Sequence, residues 1–149
     1  MILWGVSMVR NEADIVEAFV RHNLSILDGL LVIDHGSADT TLDVLNALCR
    51  ERVPLVVMKN EAVGYMQQAV MTQAVRHVFA NTRADFVFPL DADEFLKVMS
   101  RAELERALLA GGLDLVAQVA HRHAERRRTG EHHARGQVAG VGAGRAALV

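Results

Sequence analysis

Four short apolar runs, each closed by polar turn formers and separated from the next by helix-period sequence, constrain this 149-residue chain more than any other feature. Ile2–Val9, Leu30–Ile33, Leu55–Met58 and Phe86–Leu90 have strand length and nearly continuous apolar character. Strands buried on both faces have that pattern. Between them, apolar residues recur at helical spacing: Ile15, Val16, Phe19, Val20 and Leu24; Leu42, Leu45, Leu48 and Cys49; Met66, Val70, Ala74 and Val78. Asn11, with Asp14 three residues on, is expected to cap the first helix, and Asp39 with Thr40 and Thr41 the second. Ser100 and Glu103 form a capping box for a fourth helix, which Gly111 and Gly112 end. Leu113 to Ala120 is expected to be a fifth strand. The alternation implies an α/β fold, a mainly parallel sheet with helices on both faces. Pro89 is the discordant residue, because it removes a ladder donor; it is expected where its strand leaves the sheet.

A chain of this length buries about 68–70% of its unfolded surface, enough for one domain with a sizeable core. It is 51% hydrophobic and 23% charged, which excludes wholesale disorder. Only 5% is aromatic, too little for a base-stacking platform. A net charge of −2 and a pI near 6.4 provide no general attraction to nucleic acid or anionic membrane. The opening residues are apolar, but no basic region precedes them and Arg10 follows at once, so neither a signal peptide nor a membrane span is expected. The lone Cys49 falls at apolar helical spacing, and a reduced, cytoplasmic setting is expected.

The charge is unevenly spread. Residues 1–120 hold 10 Lys/Arg against 16 Asp/Glu, a net of −6, whereas residues 121–149 hold 6 against 2, a net of +4. The second part also carries four of the seven His, an Arg126–Arg128 run and a glycine-rich stretch from Gly140. Residues 1–120 are therefore expected to form the folded domain and 121–149 a poorly ordered tail. The change of composition near residue 121 fits a truncated or frameshifted continuation.

Three of the expected strand ends are polar in a way that suggests chemistry: Arg10-Asn11-Glu12, Asp34 to Asp39, and Asp91-Ala92-Asp93-Glu94. In a parallel sheet ligands bind at the carboxyl ends of the strands, so these groups are expected along one edge. Asp91 and Asp93, one residue apart in extended chain, have the spacing to share a divalent cation. His35 is expected to be a solvated loop histidine.

Together these segments resemble a family. Ser7 to Glu12, then Val32 to Thr41, then Leu90 to Phe95, match in order and spacing the three successive signatures of family 2-type glycosyltransferases of the GT-A fold. The resemblance covers about residues 1–100. It implies that Arg10, Asn11 and Glu12, with Asp34, Ser37 and Asp39, hold the nucleoside part of a nucleotide-diphosphate sugar. It also implies that Asp91 and Asp93 hold Mg²⁺ or Mn²⁺ on the diphosphate, Asp93 being the more direct ligand. Where many relatives have a second acid beside Asp34, one of the two reading the base, this chain has His35, for which base contact is the alternative to a solvated loop position. The family's acceptor site and general base come well after the Asp-x-Asp segment, and no Asp follows Asp114, so no residue is assigned as the base.

Two other readings use the same residues. An apolar strand ending in Asp-x-Asp also resembles the first motif of haloacid dehalogenase-type phosphatases, with Asp91 as nucleophile and Asp93 as acid/base; that fold needs a later Lys, and the last here is Lys97. A nucleotide-binding or interaction module that has lost transfer activity is the non-enzymatic reading. No glycine-rich turn follows the first strand, which disfavours a dinucleotide-binding dehydrogenase.

Overall fold

The computed structural model describes residues 1–60, 67–98 and 100–111. The elements run β1 (Leu3–Val9), α1 (Val16–Leu24), β2 (Gly29–Asp34), α2 (Thr41–Arg50), β3 (Leu55–Lys59), α3 (Gln67–Asn81), β4 (Phe86–Leu90) and α4 (Arg101–Leu109). The four strands form one sheet in the order β3-β2-β1-β4, and every pairing is parallel. The expected fifth strand at Leu113 to Ala120, Met66 of the third helical stripe and the tail from residue 121 lie outside the described residues.

Successive strand residues point to opposite faces, and each face has its own core. On one side Leu3, Val9, Leu30, Val32, Phe88 and Leu90 meet Val16, Phe19 and Val20 of α1, Leu45 and Leu48 of α2, and Leu104 and Leu108 of α4. On the other, Val6, Leu31 and Ile33 meet Ala74 and Val78 of α3. Helices therefore cover both faces, as the sequence pattern predicts. A single helix does not shield the whole second face: Val56 and Met58 of β3 are 41% and 40% exposed.

Several local expectations change. Asn11 does not cap α1. It lies at φ 56°, in the left-handed region, and the helix begins only at Val16, with Glu12 O accepting from the amides of Ile15 and Val16 at 3.0 and 2.8 Å. β2 begins at Gly29, one residue before the apolar run. A Cβ there would come within 2.5 Å of the Trp4 ring, its cross-strand partner, so the missing side chain is what lets the indole lie on the strand. Pro89 stays in register opposite Val6. It is tolerated because β4 is an edge strand among the described residues, so its ladder bonds are needed on one side alone. Ser100 does cap α4, its hydroxyl accepting from Glu103 N at 3.2 Å. No helix among the described residues is long and apolar enough to cross a membrane.

Strand order fixes where a site can be. From β1 the chain moves outward to β2 and β3, then returns across the sheet through α3 to β4 on the other side of β1. The order reverses between β1 and β4, and a crevice opens at their carboxyl ends.

Candidate functional site

An open cleft of about 430 Å³ lies at that reversal. Met8, Val9, Arg10 and Glu12 line it from the end of β1, Asp91, Ala92 and Asp93 from the end of β4, and Gln67 from the first turn of α3. Four expected site residues, Arg10, Glu12, Asp91 and Asp93, thus share one cavity although 78 residues, 13–90, separate the two segments in sequence. Asp91 is exposed and Asp93 half-buried. The turn that carries them is tight. Glu94 N donates to Asp91 O at 2.9 Å, and the Glu94 carboxylate accepts from Asp91 N at 3.1 Å. Glu94 therefore shapes the turn. Among the described residues no three His, Cys, Asp or Glu side chains converge as a ready-made metal site.

Asn11, Ser37 and Asp39 act differently. They knit the loop after β1 to the loop after β2. Asn11 N donates to Ser37 Oγ at 3.0 Å, and Ala38 N donates to Asn11 Oδ1 at 2.8 Å. Glu12 N donates to the Thr41 hydroxyl at 2.8 Å, and that hydroxyl donates to Asp39 Oδ1. The other Asp39 oxygen accepts from Ala13 N at 3.2 Å. Donation from the Thr41 hydroxyl, reinforced by the Thr41 amide, holds the Asp39 carboxyl below its ordinary range. Asp39 is thus an anionic tie between two loops. The N-cap position of α2 falls to Thr40, which makes no side-chain capping bond, while Asp39 takes the Thr41 amide from one place earlier.

Asp34 occupies the last position of β2, opposite Val9, and is 3% exposed. Its Oδ2 accepts from Ser37 N at 3.3 Å, while Oδ1 is buried with no hydrogen-bond partner among the described residues. A buried carboxylate oxygen left this way is costly. Gly36 supplies the left-handed turn (φ 65°) that follows. His35 is 6% exposed, not solvated: its amide donates to Val9 O at 2.9 Å, which carries the strand pairing one residue beyond β2 and takes the side chain inside.

Sequence reasoning missed three contributors. Gln67 comes to the cleft because α3 starts there. Asn23 and His22, in the last turn of α1, reach the backbone just past the acidic turn. Asn23 is a polar residue on the otherwise apolar face of α1, and that break in the pattern was its one sequence signal.

No curated protein matches the chain significantly. Among solved structures it is similar to the mannosyltransferase PcManGT from Pyrobaculum calidifontis, determined in complex with GDP-Man and Mn²⁺. The TM-score is 0.54 at 20% identity, covering 71% of this chain and 31% of that one. The likeness is one of fold, and this chain spans about a third of that protein's length. The family model described as glycosyl transferase family 2 matches residues 6–141, well past the motif resemblance that stops near residue 100. The parallel sheet, its cleft at the β1/β4 reversal and a match over nearly the whole sequence agree: the chain belongs to glycosyl transferase family 2.

Proposed function

We propose that this chain binds a nucleotide-diphosphate sugar along the carboxyl edge of its sheet and takes part in transfer of the sugar to an acceptor. The observation that carries the reading is the convergence of Arg10 and Glu12 with Asp91 and Asp93 in one cleft. The unpartnered, buried Asp34 oxygen one strand away supports a polar nucleoside contact beside it. Ser37 and Asp39, with Asn11, hold the loop that presents this edge. Arg10, exposed in the same cleft, has planar donors suited to phosphate oxygens.

The donor set fits Mg²⁺ or Mn²⁺ completed by substrate. Such ions are held by one or two carboxylates plus phosphates and water, and do not need an all-protein cage. Asp91 and Asp93 are the two carboxylates. When bound, the cation supplies Lewis-acid stabilisation of the charge that builds on the departing diphosphate. The protein's own part is to hold the two carboxylates on a tight turn, with Glu94 bonded to the Asp91 amide, so that little reorganisation is needed on binding. In the likened solved structure, GDP-Man and Mn²⁺ occur together.

Calorimetric titration of GDP or UDP, with and without Mn²⁺, tests this. Binding should depend on Mn²⁺, and Asp93→Asn should weaken it by about tenfold or more, about 1.4 kcal/mol per factor of ten. Unchanged, metal-independent binding in both proteins would refute the reading. Formation of a sugar product or hydrolysis of the donor distinguishes a turning-over enzyme from a non-catalytic binding module.

A further inference from the structure

Asn23 is wholly buried in the last turn of α1, a place where an amide side chain is stable only if its polar atoms are bonded. All three relevant bonds are present. Nδ2 donates to Phe19 O at 3.0 Å within the helix and to Glu94 O at 3.2 Å; Oδ1 accepts from Leu96 N at 3.1 Å. One amide therefore grips the backbone on both sides of Phe95, as a neighbouring strand would. The Phe95 ring packs edge-on against Phe19 (6.3 Å between centroids, 84°) and His22 (5.2 Å, 67°), and His22 Nε2 lies 2.9 Å from Leu96 O.

Residues 94–96 are the base on which the acidic turn stands. Glu94, whose carbonyl Asn23 holds, in turn bonds Asp91 through both its amide and its carboxylate. The opposite wall of the cleft is tied to the same helix, because Glu12 O accepts from the amides of Ile15, just before α1, and Val16, its first residue. The β1–β4 pairing sets the two strand ends side by side, and α1, nine residues and about 13 Å long, ties the segments beyond them, the one at its amino end through Glu12 O and the other at its carboxyl end through Asn23.

We propose that Asn23 is a positioning residue for the acidic turn, acting through Glu94 and Leu96 to hold Asp91 and Asp93 at metal-binding geometry against Arg10 and Glu12. This rests on the metal-dependent nucleotide site proposed above. Groups that orient metal ligands from outside typically change metal affinity by about 10–100-fold when removed.

The test compares wild type, Asn23→Ala, His22→Ala and a stability control, Leu48→Ala, which truncates the core in the last turn of α2. Mn²⁺ affinity is measured by electron paramagnetic resonance with saturating GDP or UDP, thermal midpoints by calorimetry, and hydrogen exchange over residues 91–96 by mass spectrometry. Asn23→Ala should weaken Mn²⁺ binding about tenfold and speed exchange across 91–96, with His22→Ala, at an exposed helix position, shifting both in the same direction but less. Leu48→Ala should lower the midpoint comparably and leave both readouts unchanged. If Asn23→Ala and Leu48→Ala behave alike, the positioning role is wrong. A wild-type protein that binds nucleotide with no response to Mn²⁺ overturns the metal-site reading instead, and the positioning role with it.

Discussion

Asn11 is an L residue held at φ 56°, a conformation that costs most side chains about 1–2 kcal/mol and that Asn tolerates through local hydrogen bonding. Here the bond is not local in sequence. The Asn11 amide oxygen accepts from Ala38 N, across to the loop after β2. Two substitutions separate the effects. Asn11→Gly keeps the left-handed turn and loses the bond, whereas Asn11→Ala loses both, so Ala should be the more destabilising by about 1 kcal/mol in denaturant unfolding. Equal losses would mean that backbone conformation contributes nothing at this site. The residue's presence at the first strand end was legible in the sequence. Its role was not: an Asn followed by an acid three residues on has the pattern of a helix cap, and the partner that changes the assignment lies 27 residues away.

At the scale of elements, each helix is stabilised by what its face meets more than by its ends. In neither α1 nor α2 does the N-cap residue make a side-chain capping bond, and both are held by their buried faces. α4, by contrast with these two, is capped by its own N-cap residue Ser100 and buried through Leu104 and Leu108. Ser100→Ala should cost about 1 kcal/mol, read as a fall in the unfolding midpoint. An unchanged midpoint would show that the apolar contacts of α4 suffice. The strands follow the same logic. Alternate residues of β1 and β2 feed two different cores, which is why their sequences read as unbroken apolar runs. β3, on the sheet edge among the described residues, buries Leu55 and leaves Val56 and Met58 about two-fifths exposed, yet its sequence is as apolar as the others. Residue type alone could not distinguish the edge from the centre.

In the whole molecule, the amino end of the sheet is closed by a network spanning 100 residues. Arg101 donates to Asp28 Oδ2 and to the backbone oxygens of Met1 and Ile26, while Asp28 accepts the Leu3 amide. Burial raises the Asp28 carboxyl, but the bonds from Arg101 and Leu3 together outweigh it and leave the group below its ordinary value. A depressed carboxyl contributes stability above its unfolded-state value and loses that contribution as pH falls through the folded one. The tie should therefore be fully present near neutrality and fade as pH drops below about 3.8. Arg101→Ala should lower the midpoint at pH 7 and flatten the acid limb of its pH dependence. An acid limb as steep as in wild type would exclude Asp28 as a contributor. The pair is partly exposed, so the effect should shrink in high salt.

The order of apolar runs, their polar ends and the helical stripes between them determined the class of fold, because periods of 2 and 3.6 and strand-length runs are properties of local sequence. The sequence also placed Arg10, Glu12, Asp34, Asp91 and Asp93 at strand ends. Only the tertiary structure decided which ends are neighbours. The β3-β2-β1-β4 order sets β4 beside β1, and so turns two distant polar segments into one cleft lined by Arg10, Glu12, Asp91 and Asp93. It also separated Asn11, Ser37 and Asp39, which tie loops together, from that cleft, and brought Asn23 beneath the acidic turn. These outcomes depend on hydrogen bonds between groups 26 to 71 positions apart, which no local pattern encodes.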